Sequence, residues 1–105
     1  MYYHSIQVLG RATKDAELKT SKAKKPYLQI PVAVNEKDAD GKENVFYYDL
    51  LLFGKSAENA SKLIKKGDLI FVIGRPRFEA YISSKGGKEA RTSTKVLVES
   101  WQLIK

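Results

Sequence analysis

The chain of 105 residues carries 19 lysines and arginines against 12 acids, a formal charge of +7, and no cysteine. A chain of that length can bury one core without staples and is tight for two, so residues 1–105 are read as a single domain. Disulfides and thiol catalysis are excluded, and the apolar runs "LLLF" and "LIFVI" are too short to span a bilayer. "MYYHSIQVLG" has neither a basic region nor a long apolar one, so the expectation is a soluble, cytoplasmic protein with no signal peptide and no membrane partner. The positive charge suits a polyanion such as nucleic acid, although a lysine-rich surface also serves solubility alone.

In chain order, His4–Gly10 predicts a strand with Ile6 and Val8 on one face, and "TKDAELKTSKAKK" predicts a polar, basic loop. Tyr27–Val34 alternates cleanly, with Leu28, Ile30, Val32 and Val34 on one side. Pro31 lacks a backbone donor, so an edge or a bulge is expected there. "NEKDADGKEN" predicts a loop built around Asp40 and Gly41, and Val45–Phe53 a third strand. "GKSAENASKLIKKGD" then changes the period. Ala57, Ala60, Leu63 and Ile64 form a helical stripe, with Ser56 as N-cap, Lys65 and Lys66 at the C-terminal end, and Gly67 closing the helix. Asp68–Ala80 and Arg91–Ile104 predict two long strands around the tip "SSKGGK". Three strands, one helix and two strands give an all-β chain with one helix. This is the order of the OB-fold, a five-stranded Greek-key barrel with a helix between strands three and four.

Parity sorts the rings, because side chains alternate faces along a strand. In "NVFYYDLLLFG", Phe46 and Tyr48 share a face with Leu50 and Leu52, expected in the core or a subunit contact. Tyr47 and Phe53 share the other face with Asp49, which cannot lie in a dry core unpaired. On the fourth strand Arg75, Arg77, Glu79 and Tyr81 share a face, and its two arginines and a tyrosine suit a single-stranded nucleic acid. The alternative is that the arginines pair with nearby acids and Tyr81 caps the barrel. Trp101 reads as a packing residue and His4 as a structural or exposed one. No carboxylate pair, metal-ligand spacing or phosphate loop is present, and "GRPRFEAY" opens no helix, so neither an enzyme nor a cofactor is expected.

These residues together resemble the bacterial single-stranded-DNA-binding protein family, from about Ser5 to Ile104. The resemblance is carried by "VLGRATKDAEL", "IPVAVNEK", "LLLFGKSAENASKLIKKGDLIFVIGRPR" and "STKVLVESWQLI". It implies an OB barrel that binds single-stranded DNA, non-catalytically and largely without sequence preference, in replication, recombination or repair. It also implies a homotetramer, with a dimer possible, paired through the first strand. Carried over by position, the stacking rings are Tyr47, Phe53 and Tyr81, and the basic contacts are Lys55, Lys66 and Arg77, with Arg75 on the same face. Asp38 stands where the family often has a tryptophan, Tyr47 and Tyr81 where tryptophans are common, and Asp49 where a base is common. Each departure implies weaker stacking or weaker electrostatics, a stack being worth about 1–3 kcal/mol per base. Cellular members also carry a tail with an acidic, apolar tip; the sequence stops at Lys105, so tail-mediated recruitment of partner enzymes is not expected of it. The alternatives are an OB-fold accessory of a primosome or an RNA-binding module, and, in another class, a domain whose basic face docks an acidic protein.

Overall fold

The long strands turn alternate residues inward, and these residues meet in one core. The computed structural model describes residues 4–83 and 89–104, with backbone alone at 79–83 and 89–93. Its elements are β1 (Ile6–Ala12), β2 (Leu18–Thr20), β3 (Pro26–Lys37), β4 (Glu43–Phe53), α1 (Gly54–Leu63), β5 (Leu69–Ser83) and β6 (Glu89–Ile104). Neighbouring strands follow the order β1-β5-β6-β4-β3-β2. A further β1–β3 pairing, Arg11 with Ala33 and Ala12 with Val32, closes five of them into a ring. The ladders are antiparallel except between β4 and β6, where Asp49, Leu50 and Leu51 run parallel to Lys95, Val96 and Leu97. This is the expected OB barrel.

The helix joins the expected pair of strands, but in the full count it lies between β4 and β5, because the basic loop contains the short β2. Leu18–Thr20 has no buried residue and no alternation, so it shows no strand signal in the sequence. It is held by pairing with Leu28, Tyr27 and Pro26. The loop read over "NEKDADGKEN" is also shorter than expected, since β3 and β4 stay paired as far as Lys37 and Glu43. Asp38 makes the remaining turn: its Oδ1 accepts the N–H groups of Asp40 at 3.0 Å and Lys42 at 2.9 Å.

Pro31 is accommodated as an edge residue. Its carbonyl accepts the N–H of Thr13 at 3.1 Å and the Thr13 hydroxyl at 2.9 Å, so its backbone groups turn away from β4 and the missing donor costs the β3–β4 ladder nothing.

The barrel interior holds Leu28, Ile30, Val32, Leu50, Leu52, Ile70, Val72 and Val96, all essentially inaccessible. Each such burial is worth roughly 1.5–3 kcal/mol. From α1, Ala57 and Ala60 join this cluster, and so does Ile64 just beyond the helix. Leu63, expected in the stripe, is exposed. The reason is that the helix stops there, and Ile64 takes extended backbone (φ −85°, ψ 123°) in place of a further helical residue. The start also differs from expectation. Ser56 is inside the helix, not its cap, and Gly54 at φ +62° makes the turn out of β4. Lys65, Lys66 and Gly67 belong to the turn that follows, where the Gly67 N–H donates to the Ala12 carbonyl at 2.8 Å.

β6 contains an irregularity that sets the direction of its last residues. Gly74 pairs with Val98 and Ile73 with Ser100, leaving Glu99 without a register partner. Val96 and Val98 point inward before the bulge, and Trp101 and Leu103 pack on the core after it. Trp101 is thus a packing residue, as its sequence context indicates. At the bulge, a Cβ on Gly74 would collide with the carbonyl of Leu97. Gly74→Ala is therefore expected to cost about 1–3 kcal/mol, the range for overpacking. Urea denaturation checks this, and a neutral result would show that the bulge can slide.

Candidate nucleic-acid interface

Residues in register on neighbouring strands project from the same face, so the outer surface can be read as rungs. On β4 and its neighbours, Asp49 is in register with Pro31 on one side and Lys95 on the other, and Leu51 with Gln29 and Leu97. β6 continues both rungs, Lys95 to Arg77 and Leu97 to Arg75. Arg77, Lys95 and Asp49 thus form one line across three strands. Tyr47 and Phe53 stand on the same face of β4, on either side of that line, 64% and 58% exposed. Their strand is fixed from behind by Leu50 and Leu52, which are buried. The face of β4 that carries Asp49 is therefore the wet one, as expected from its parity. Tyr48 packs against the core, whereas Phe46 is 46% exposed. Phe46 has core parity but lies where the β3–β4 hairpin runs past the barrel, with every residue from Asn35 to Tyr47 exposed.

The arginines make contacts of the kind the alternative reading expects. Arg75 Nε lies 3.6 Å from the Glu99 carboxylate, and Arg77 Nη1 donates to the Pro76 carbonyl at 3.0 Å. Both members of the ion pair are about half exposed, so solvent screens it. Lys55 is exposed in the first turn of α1, two residues past Phe53. Lys66 is exposed in the turn after α1, its N–H donating to Oδ1 of Asp15, beyond β1, at 2.7 Å, and it is not on the Arg77–Lys95–Asp49 line. The Tyr81 backbone pairs with Arg91, and its side chain lies outside the described residues.

Two cations on this surface escape sequence reasoning. Lys95 reaches the face through the parallel β4–β6 register, for which no local signal exists. Arg11 is in register with Ala33, itself in register with Tyr47, and its Nη1 donates to the Gly67 carbonyl at 3.0 Å. Parity would have found Arg11 had the first strand been extended to Ala12. Among the described residues, no group of three or more His, Cys, Asp or Glu could hold a metal ion, and no helix is long and apolar enough to cross a membrane.

Residues 3–104 match the model of the single-strand binding protein family. The chain belongs to that family. Among curated members it is similar to single-stranded DNA-binding protein 1 of Streptococcus pyogenes serotype M18 (33% identity over 96% of this chain and 78% of the relative). It is also similar to the single-stranded DNA-binding proteins of Helicobacter hepaticus and Wolinella succinogenes (each 32% identity over 97% of this chain). The chain spans 61% and 64% of the length of those two. In fold it resembles a small single-stranded DNA-binding protein from Streptomyces coelicolor, with a TM-score of 0.81 at 18% identity, covering 99% of this chain and 96% of that one.

Within this family fold, the Arg75–Glu99 pair is a surface contact. A double-mutant cycle of Arg75→Met and Glu99→Gln, followed by urea denaturation, is expected to give a coupling below about 1 kcal/mol. A coupling of several kcal/mol would make the pair a structural tie and remove Arg75 from the set of cations that can change partner.

Proposed function

We propose that the protein binds single-stranded DNA non-catalytically and largely without sequence preference, and protects it during replication, recombination or repair. One observation carries this reading. Tyr47 and Phe53 are 64% and 58% exposed on a strand whose opposite face is buried. An exposed ring leaves apolar area in water, and stacking on a base removes that area from solvent. Every base has a π-face, so such stacking tolerates any sequence. Lys55, Lys66, Arg75 and Arg77 are the phosphate contacts, with Lys95 and Arg11 added by their register positions. Tyr81 completes the stacking set by its match to the family pattern. The names of the similar proteins support the same ligand. A homotetramer or dimer, acting in the cytoplasm where the DNA lies, belongs to the same reading.

Titration of labelled oligo-dT at several salt concentrations tests it. Six such cations on a single strand make log affinity fall against log salt with a slope of about 4, at about 0.7 per phosphate. Tyr47→Ala and Phe53→Ala should each weaken binding by about 1–3 kcal/mol while the chain stays folded. Binding indifferent to salt, or stronger to duplex than to oligo-dT, would overturn the reading. Oligo-U competing better than oligo-dT would move it to RNA, and heparin competing as well as oligo-dT would make it a general polyanion surface. Light scattering with dT oligomers of increasing length reports subunit number and stoichiometry together.

A further inference from the structure

α1 covers the barrel end reached by Leu28 and Leu52, where Ala57, Ala60 and Ile64 are buried with them in the core. Among the described residues, no helix lies at the opposite end. Two phenylalanines stand there with inward parity and are nevertheless exposed. Phe46 lies beyond Leu52, Leu50 and Tyr48 on the inward face of β4 and is 46% exposed. Phe78 lies beyond Val72, Gly74 and Pro76 on the inward face of β5 and is 66% exposed. The register brings the two rings together. Phe78 is in register with Thr94, the residue before Lys95, and Tyr48 precedes Asp49, the partner of Lys95. One more step of the parallel register puts Tyr48, Thr94 and Phe78 on a single rung, with Phe46 on the next. Val34, in register with Phe46, is partly buried at the same end. Rings so placed leave apolar area in water, and a contiguous patch of this kind marks a contact.

β1 enters the barrel at this end. Ile6 is in register with Gly74, and the two strands are antiparallel, so the residues before Ile6 lead toward Phe78. Tyr2 lies four residues before Ile6, as Phe78 lies four residues after Gly74. Four extended residues reach about 13 Å on either strand, so Tyr2 can stand opposite Phe78. Parity agrees, because Tyr2 shares the even positions of Ile6, Val8 and Ala12, which face the core. Backbone pairing does not reach that far. It ends at Ile6, and Pro76, where His4 would pair, has no N–H and gives its carbonyl to Arg77 Nη1 at 3.0 Å. What precedes Ile6 must therefore be held through side chains. "MYYH" supplies two tyrosine rings and a thioether with no acid, lysine or arginine, and its chemistry suits an aromatic patch.

We propose that Tyr2 closes the open end of its own barrel, its ring lying on Phe78 and Phe46. The N-terminal segment thus serves at this end as α1 serves at the other. It ties the start of β1 to β5 and to the part of β4 that carries Tyr47. This inference concerns the closing of the barrel and stands whether or not the chain binds DNA.

Urea denaturation of the full chain tests it, as a double-mutant cycle of Tyr2→Ser and Phe78→Ser. The two changes should couple by roughly 2- to 13-fold in the folding equilibrium constant, the range for one aromatic pair. Tyr3→Ser, at the opposite parity, should show no such coupling with Phe78→Ser. A second measurement is the nuclear Overhauser effect between the Tyr2 and Phe78 rings of the unmodified chain. It should appear within one chain, and in a mixture of isotope-labelled and unlabelled chains it should not appear between them. A coupling no greater for Tyr2 than for Tyr3 would overturn the proposal. An Overhauser effect seen only between chains would overturn it too, and would give the open end to a second copy. If Phe78→Ser fails to fold, the ring-to-ring effect still decides the matter, and its absence refutes the proposal.

Discussion

The outer face depends on three residue pairs: Asp49 with Lys95, Leu50 with Val96, and Leu51 with Leu97. β4 carries the exposed rings and β5 the arginines, and each is tied by hairpin pairing to a different partner, β3 and β6. Without the parallel seam between β4 and β6, rings and arginines would be connected only the long way round the barrel, through β3 and β1. The middle pair of the seam points inward, and both Leu50 and Val96 are buried. Core packing at that point therefore sets the spacing of charges and rings outside. Contacts between residues so distant in sequence repay the cost of loop closure only once the core forms, which places the completed face late in folding.

Among the described residues, the two acids on this face have a common physical reading. Asp49 is in register with Lys95, and Glu99 is paired with Arg75. Each acid stands beside a cation, so the empty face repels itself less than its lysines and arginines alone would make it. The same arrangement weakens attraction for a phosphate, which must compete with a resident carboxylate. In the proposed binding mode, affinity is then expected to draw on rings more than on charge. Asp38 has a different role: it is fixed in the β3–β4 turn by two backbone N–H groups, a local structural use that a tryptophan side chain could not supply.

The barrel was legible where burial imposes a pattern. Leu28, Ile30 and Val32 alternate because one face of β3 is core, and Tyr47 and Phe53 could be placed outside because Asp49 shares their parity. β2 was not legible, since a strand with nothing buried leaves no hydrophobic period. The helix ends shifted because Gly54 and Ile64 take non-helical backbone to suit the barrel, and propensity does not register that demand. Lys95 could not be placed, because parallel pairing across a long separation has no local signature. Phe46 shows the limit of parity: alternation says which face a residue takes, not whether the sheet still covers a core at that height.

The register irregularity at Glu99 has a wider consequence. It divides β6 into two segments of opposite phase, so the rule that sends even-numbered residues inward at Val96 and Val98 sends odd-numbered ones inward at Trp101 and Leu103. The last segment can keep its aromatic anchor in the interior only while that single extra residue remains. Removing one residue there would shift the following segment by one position, carrying the lone tryptophan to solvent and polar side chains toward the core. An insertion or deletion near Glu99 would therefore change the chemistry of both surfaces of the strand at once, even if every individual side chain were kept.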